Sequence, residues 1–437
     1  MQTLLLVAFA LFAGLLMTRL FVRFHLPDVT AYLVAGVLIG PCCLGLLGVN
    51  GLGFTSFEQV DSLSMISDVA LGFIAFAIGH EFRLSALKQT GKQSTIIGIL
   101  QAIVTTVFVD IVLISVHFIM PDLLSLPAAI TLGAIAAATA PAATLMVVRQ
   151  YKAKGPVTDV LLPVVALDDA VGLVVFAISF GIAQSMQDGS ANIAALIVNP
   201  LAEVILSLGF GALVGYLLTV LERYFHSHRN RNALIVGSVI ITVAVSQLSV
   251  DVGPFTFGFS SLLVCMMLGT VFCNICPLSE DLMLDADRWS GPAVTLFFVL
   301  SGASLQFSVF GNLSVVLIGV IYILSRSLGK YFGARWSSDL AKSPETVRKY
   351  LGITLLPQAG VALGMCATAY KVLGADGVLI RNIVLFAVLV YELIGPSLTK
   401  SALTRAGDIQ SRPSEVVERR KNKLEQVTKP VPPQFDK

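Results

Sequence analysis

A chain of 437 residues that is 56% hydrophobic and only 13% charged, with a mean hydropathy of +0.85, lies far outside the range of water-soluble globular proteins. Its formal net charge is +2, and no nucleic-acid partner is expected. The membrane lipid is its main solvent.

Bilayer crossing needs roughly 20 mostly apolar residues per helix. Taken in chain order, such runs predict 13 spans, over 2–22, 28–48, 62–81, 93–117, 125–148, 157–184, 195–222, 232–250, 255–275, 289–307, 313–335, 347–371 and 378–402. The first is read as a retained helix and not a signal peptide, because its basic residues follow the apolar run and no small-residue cleavage site precedes Phe24–Pro27. Residues 1–405 are therefore expected to form one transmembrane domain. Residues 406–437, polar and charge-rich, read as a flexible cytoplasmic tail with no room for a nucleotide-binding domain.

Basic residues collect in alternate loops: Arg19 and Arg23, then Arg83, Lys88 and Lys92, then Arg149, Lys152 and Lys154, then Arg223, Arg229 and Arg231, then Arg288, then Arg335, Lys342, Arg348 and Lys349, and finally the tail. Lys371 and Arg381 face the other side. By the positive-inside rule this predicts an external N-terminus, a cytoplasmic C-terminus and an odd number of spans in a cell membrane. Six cysteines say little; Cys273 and Cys276 form a lone C-x-x-C pair, read as helix packing and not as a zinc or redox site.

A charge near the bilayer centre costs several kcal/mol unless it pairs or meets water. The strongest such case is LDDAVGLVVF in span 6. Asp168 and Asp169 fall 11 and 12 residues into it, roughly 17 Å deep at about 1.5 Å per residue, near the midplane. Adjacent helical residues point about 100° apart, so one carboxylate can face a water-filled cavity while the other turns to a protein partner. Two neighbouring acids in a partly dry site do not both ionise freely. A proton and a small cation then compete for the same oxygens.

Two helix breakers follow the same logic. ATAPAAT in span 5 carries Thr139, Pro141 and Thr144, and LPQAGVALG in span 12 carries Pro357, Gln358 and Gly360. Proline frees carbonyls from their usual donors, and unwound backbone at this depth is tolerated only where it lines a cavity. Freed carbonyls and threonine hydroxyls suit a hard cation. Spans 5 and 12 are seven apart, and an odd shift reverses direction, so spans 4–6 and 11–13 are expected to be inverted three-helix repeats whose broken middle helices cross beside Asp168 and Asp169.

SRSLGKYFGA in span 11 places Arg326 and Lys330 four residues apart, on one helix face. Either is a natural counter-charge for the acids; alternatively Lys330 snorkels to the surface and Arg326 pairs with Asp110 or Glu392. Asp110, Glu203 and Glu392 are otherwise read as helix-pairing residues.

Together FHLPDVTAYLVAGVLIGP, ATAPAAT, LDDAVG, RSLGK, PQAGVALG and YELIGP, in that order, resemble the bacterial cation:proton antiporter-2 family over nearly all of the membrane region. The resemblance implies an all-α polytopic antiporter fold, with an ion-binding core mainly in 93–184 and 313–402 and a dimerisation scaffold from the remaining helices. It implies Asp169 as the main cation and proton ligand, Asp168 as the partner of Lys330, and Thr139 as an oxygen ligand. It further implies a homodimer, elevator-like alternating access and a role in pH homeostasis. Asp168 at the first position of the pair resembles the sodium-selective, electrogenic members. Transported sodium and protons are the expected cargo, with no cofactor and no enzymatic reaction. The alternatives are a potassium/proton antiporter or potassium-efflux protein, then a channel or sodium-coupled solute symporter. An intramembrane aspartyl protease would need its two acids on different helices.

Overall fold

The computed structural model describes residues 2–24, 28–48, 53–140, 144, 147–148, 151–187, 193–248, 250–252, 255–306 and 313–409. The helices are α1 Gln2–Phe21, α2 Asp28–Ile39, α3 Phe57–Asp61, α4 Ser64–Glu81, α5 Leu84–Ile119, α6 Leu126–Ile135, α7 Pro156–Gln187 and α8 Ile193–Glu222. They continue as α9 His228–Ser246, α10 Ser261–Ile275, α11 Ser279–Ala303, α12 Leu313–Leu340, α13 Glu345–Thr354, α14 Gly360–Val372 and α15 Gly374–Ala406. Each of the 13 predicted spans contains a helix or a broken pair of helices. Among the described residues, seven helical segments are by themselves long and apolar enough to cross a bilayer, including Gly91–Ile119, Pro156–Gln187, Val315–Leu340 and Gly374–Ala406. The chain is a multi-pass membrane protein.

Local sequence explains the departures from the predicted bounds. Gly91 takes φ +77°, which glycine adopts without steric cost, so α5 turns there and its apolar run begins at that residue. Span 9 was expected from 255, but α10 starts at Ser261. Before it a two-stranded antiparallel ladder pairs β1 Val250–Val252 with β2 Phe255–Phe257. The sequence there includes Pro254, which cannot continue a helix. The expected tail lies outside the described residues from 410 onward.

α5, α6 and α7 pack against one another, with α12 on α5 and α13 on α12, while α14 lies against α15. α1, α2, α4, α8, α10 and α11 pack mainly among themselves. Glycine sets the closest crossings in the second group. A Cβ on Gly36 would stand 1.9 Å from the Val299 carbonyl oxygen, and one on Gly302 would stand 2.1 Å from that of Leu33. Small residues of this kind let transmembrane backbones touch. Gly36→Ala and Gly302→Ala should each therefore destabilise the α2–α11 crossing by about 1–3 kcal/mol or more, the overpacking range. Gly209→Ala, where a Cβ meets nothing within 4 Å, is the control. Thermal unfolding in detergent reads the difference, and equal melting temperatures for all three would refute it.

On the side where α4 and α15 begin, Lys371 pairs with Asp68. α15 starts at Gly374, ahead of the predicted 378, which places Arg381 two turns inside the helix. The Arg381 guanidinium stacks 3.5 Å from the centroid of the Tyr370 ring and stands 3.7 Å from Asp61.

Candidate ion-binding site

α7 carries both aspartates 12 and 13 residues after its first residue, Pro156, or about 18–20 Å along its axis. Asp168 is fully buried and Asp169 is 2% exposed. Lys330 on α12, also fully buried, reaches across to put its Nζ 2.6 Å from Asp168 Oδ2. That ammonium also donates to Thr139 Oγ1 at 2.9 Å, to Gln101 Oε1 at 3.3 Å and to the Ala137 carbonyl. Asp168 Oδ2 accepts from the Thr139 hydroxyl as well, and Asp168 Oδ1 accepts from the Gln101 amide. Burying an ion pair costs several kcal/mol per ion, repaid only when the remaining lone pairs and protons are satisfied. Here both carboxylate oxygens and the ammonium have further partners. The ammonium reaches inward and does not snorkel.

The two breaks account for the rest of the geometry. α6 ends at Ile135 and α13 at Thr354, and helix ends leave carbonyls without intrahelical donors. At the first break Ile135 O accepts from Gln358 Nε2 at 3.0 Å, Ala136 O from Arg326 Nε at 3.1 Å, Ala137 O from Lys330, and Ala138 O from Arg326 Nη2 at 2.7 Å. At the second, Thr354 O accepts from Thr144 at 3.3 Å, Leu355 O from Thr139 at 3.4 Å and Leu356 O from Arg326 Nη1 at 2.7 Å. The Pro357 carbonyl completes the set, accepting from the Ala140 amide at 2.8 Å. Each freed carbonyl from 135 to 138 and from 354 to 357 thus lies within hydrogen-bond reach of a donor, the one Thr139 hydroxyl proton being shared between Leu355 O and Asp168, and most donors come from the opposite break or from α12. The broken helices cross as the sequence predicts. Their carbonyls, expected to stand open for a cation, are instead committed to protein donors.

Arg326 also departs from expectation. Among the described residues it makes no ion pair with Asp110 or Glu392. Its guanidinium spends its donors on three carbonyls and stacks 4.5 Å from the Tyr391 ring centroid. The negative ends of two helix dipoles are a sufficient counter-charge, so Arg326 fastens the breaks together. Gln358, fully buried, bonds the Tyr322 hydroxyl at 3.1 Å besides Ile135. Pro357 packs against Gly395, where a Cβ would meet its Cγ at 2.9 Å. Gly360 is the first residue of α14, and Pro141 lies outside the described residues.

The other intramembrane acids sit apart from this cluster. Asp110 lies against Gly133, where a Cβ would stand 1.7 Å from its Oδ1. Glu392 Oε2 accepts from Thr30 at 3.3 Å. Glu203 lines a cavity of about 270 Å³ together with Asp68, Lys371, Phe176 and Phe180. The two phenylalanines follow Asp169 on the same face of α7, at i+7 and i+11, and stack with ring centroids 5.1 Å apart. Sequence reasoning passed over Gln101, which is neutral; the available signal was an amide between Leu100 and Ala102 in an otherwise apolar run.

Residues 7–405 match the family model described as sodium/hydrogen exchanger, transmembrane. The chain is 24% identical over 389 residues to the high-affinity Na(+)/H(+) antiporter NhaS3 of Synechocystis sp., covering 80% of this chain and 79% of that protein. It is 25% identical over 347 residues to Na(+)/H(+) antiporter 1 of Methanocaldococcus jannaschii, covering 74% of each. The solved structure of the sodium proton antiporter MjNhaP1 from the same organism at pH 8 has the same fold. It superposes with a TM-score of 0.72 at 19% identity, over 93% of this chain and 99% of that one.

Proposed function

Since the chain belongs to the sodium/hydrogen exchanger family, we propose that it is a secondary antiporter exchanging sodium for protons, with Asp169 as the main ligand for both. One observation carries this assignment of roles. Lys330, Thr139 and Gln101 bond both oxygens of Asp168, which makes that carboxylate the counter-ion of Lys330; the family resemblance gives the ligand role to Asp169, its neighbour on α7. Asp168 then holds Lys330, and Thr139 stands ready as a further oxygen ligand when that pair opens.

Protonation and cation occupancy each neutralise the Asp169 carboxylate. Loaded in either way, the site carries less charge past an apolar barrier than it does empty, so the empty site resists crossing. That difference enforces exchange and suppresses leak. If Lys330 also releases its proton when Asp168 disengages, two protons move per cation and transport is electrogenic. The ordered motifs support membership of the cation:proton antiporter-2 branch, and with it a homodimer, an elevator-like movement of the core between two facing states and a part in pH homeostasis. The alternating basic loops support a cell-membrane location with the N-terminus outside. The names of the two relatives support sodium over potassium.

The test is proton flux in proteoliposomes carrying an imposed pH gradient, with sodium, lithium and potassium added in turn. Sodium is expected to dissipate the gradient at the lowest concentration. A response to potassium alone would make the protein a potassium/proton antiporter, and no response to any monovalent cation would refute antiport.

A further inference from the structure

We propose that the cavity beside Arg381 is a binding site for a small organic anion, a carboxylate or similar oxyanion head on a short apolar body. The setting of the guanidinium in that cavity carries the proposal; its effect on exchange rests on the ion-exchange reading of the protein.

The cavity, of about 230 Å³, lies between α4 and α11 on one side and α14 and α15 on the other. Its mouth is polar. Asp61 and Lys371 are exposed there, and Asp61 accepts from the Tyr370 hydroxyl at 3.0 Å. Deeper in, Phe297, Leu300, Leu363 and Leu385 make the walls apolar, while Ser64, Ser67 and Ser301 add hydroxyls. Arg381 lines the same space and is only 5% exposed.

The guanidinium is engaged on one face and at one corner. Its face stacks 3.5 Å from the Tyr370 ring centroid, which fixes its plane, and Nη1 stands 3.7 Å from Asp61, too far for a hydrogen bond. Nε and Nη2 are buried and make no hydrogen bond among the described residues. These two nitrogens form one edge of the planar fork. That edge presents two parallel N–H donors, the spacing that meets both oxygens of a carboxylate or sulfonate. A buried charged donor left unanswered is costly, and arginine does not escape the cost by losing its proton. The nearby acids are turned to other groups: Asp68 pairs with Lys371, and Asp61 faces Nη1 and Tyr370. The interior therefore offers donors and apolar surface, the complement of an anionic head on an apolar body.

An occupant held by Arg381 of α15 and packed on Phe297 and Leu300 of α11 touches both helix groups at once. Elevator-like exchange moves those groups past each other, so occupancy should slow it.

Isothermal titration calorimetry on the protein in nanodiscs, with choline hexanesulfonate as the probe, tests the site without transport. Saturable binding to wild type is expected. Methanesulfonate lacks the body and hexanol lacks the head, and each should bind about tenfold more weakly or worse. Arg381→Gln should weaken the probe by about tenfold or more, since two charge-assisted hydrogen bonds are lost. Arg381→Lys, which keeps the charge without the fork, should weaken it too. Ser301→Leu fills the cavity and leaves Arg381 in place, and it carries the test if the arginine variants do not fold. Palmitate in the nanodisc membrane that displaces the probe would make the bilayer the source of the ligand; palmitate that does not would make the ligand a water-borne acid. No binding to wild type, or equal binding to Arg381→Gln and Ser301→Leu, overturns the proposal. In proteoliposomes, the probe on both sides should lower sodium-driven proton flux in wild type and leave Ser301→Leu unaffected. Binding without that loss overturns the restraint on exchange, whereas intact binding with no sodium-driven flux in probe-free wild type defeats the ion-exchange reading alone.

Discussion

Asp169→Asn abolishes sodium-driven proton flux. An amide keeps the size of the carboxylate but can neither take up a proton nor offer a charged oxygen to a cation, so both substrates lose their shared ligand. The effect is expected at background level at every pH, because no protonation state restores the ligand. The fold should survive, since the amide keeps the shape of the carboxylate and Asp168 remains in place as the counter-ion of Lys330. Preserved thermal stability with lost flux is the expected pair of results. Retained flux at any cation concentration would move the main ligand elsewhere.

Lys330→Gln has a different signature. Removing one member of a fully buried ion pair leaves the Asp168 carboxylate uncompensated, with an expected destabilisation of about 3–5 kcal/mol. Transport should become electroneutral or stop, because the variant has no ammonium to supply a second proton. Adding Asp168→Asn to Lys330→Gln should recover most of the lost stability, as the double change removes both charges together. Membrane-potential dyes in proteoliposomes, with and without valinomycin and potassium, read the charge movement. Undiminished electrogenicity in Lys330→Gln contradicts a proton-carrying lysine.

These two residues were legible in the sequence for the same reason that makes them costly: a charge in a 20-residue apolar run has few explanations. The spans were legible from hydropathy and the two breaks from proline. What hydropathy does not encode is where a polar group finds its partner. Arg326 reads as half of an ion pair because arginine is charged, but its partners are the carbonyls of Ala136, Ala138 and Leu356, which exist as acceptors only because two helices stop there. Gln101 has no charge to mark it, and its contacts depend on how closely α5 and α12 approach. That distance is encoded in Gly329 and Gly333, a pattern that carries meaning only once its partner helix is known. The late start of α10 was likewise hidden, because Phe255–Phe257 is apolar enough to begin a helix but pairs as a strand with Val250–Val252.

The central claim is that sodium and protons compete for one buried carboxylate. The measurement that tests it most directly is the apparent KM for sodium in proteoliposomes as a function of pH. Competition predicts that KM rises about tenfold for each unit of acidification through the protonated range, while the maximal rate at saturating sodium changes little. A KM independent of pH, with the rate alone falling on acidification, would mean that protons act at a site sodium does not use, and would contradict the account.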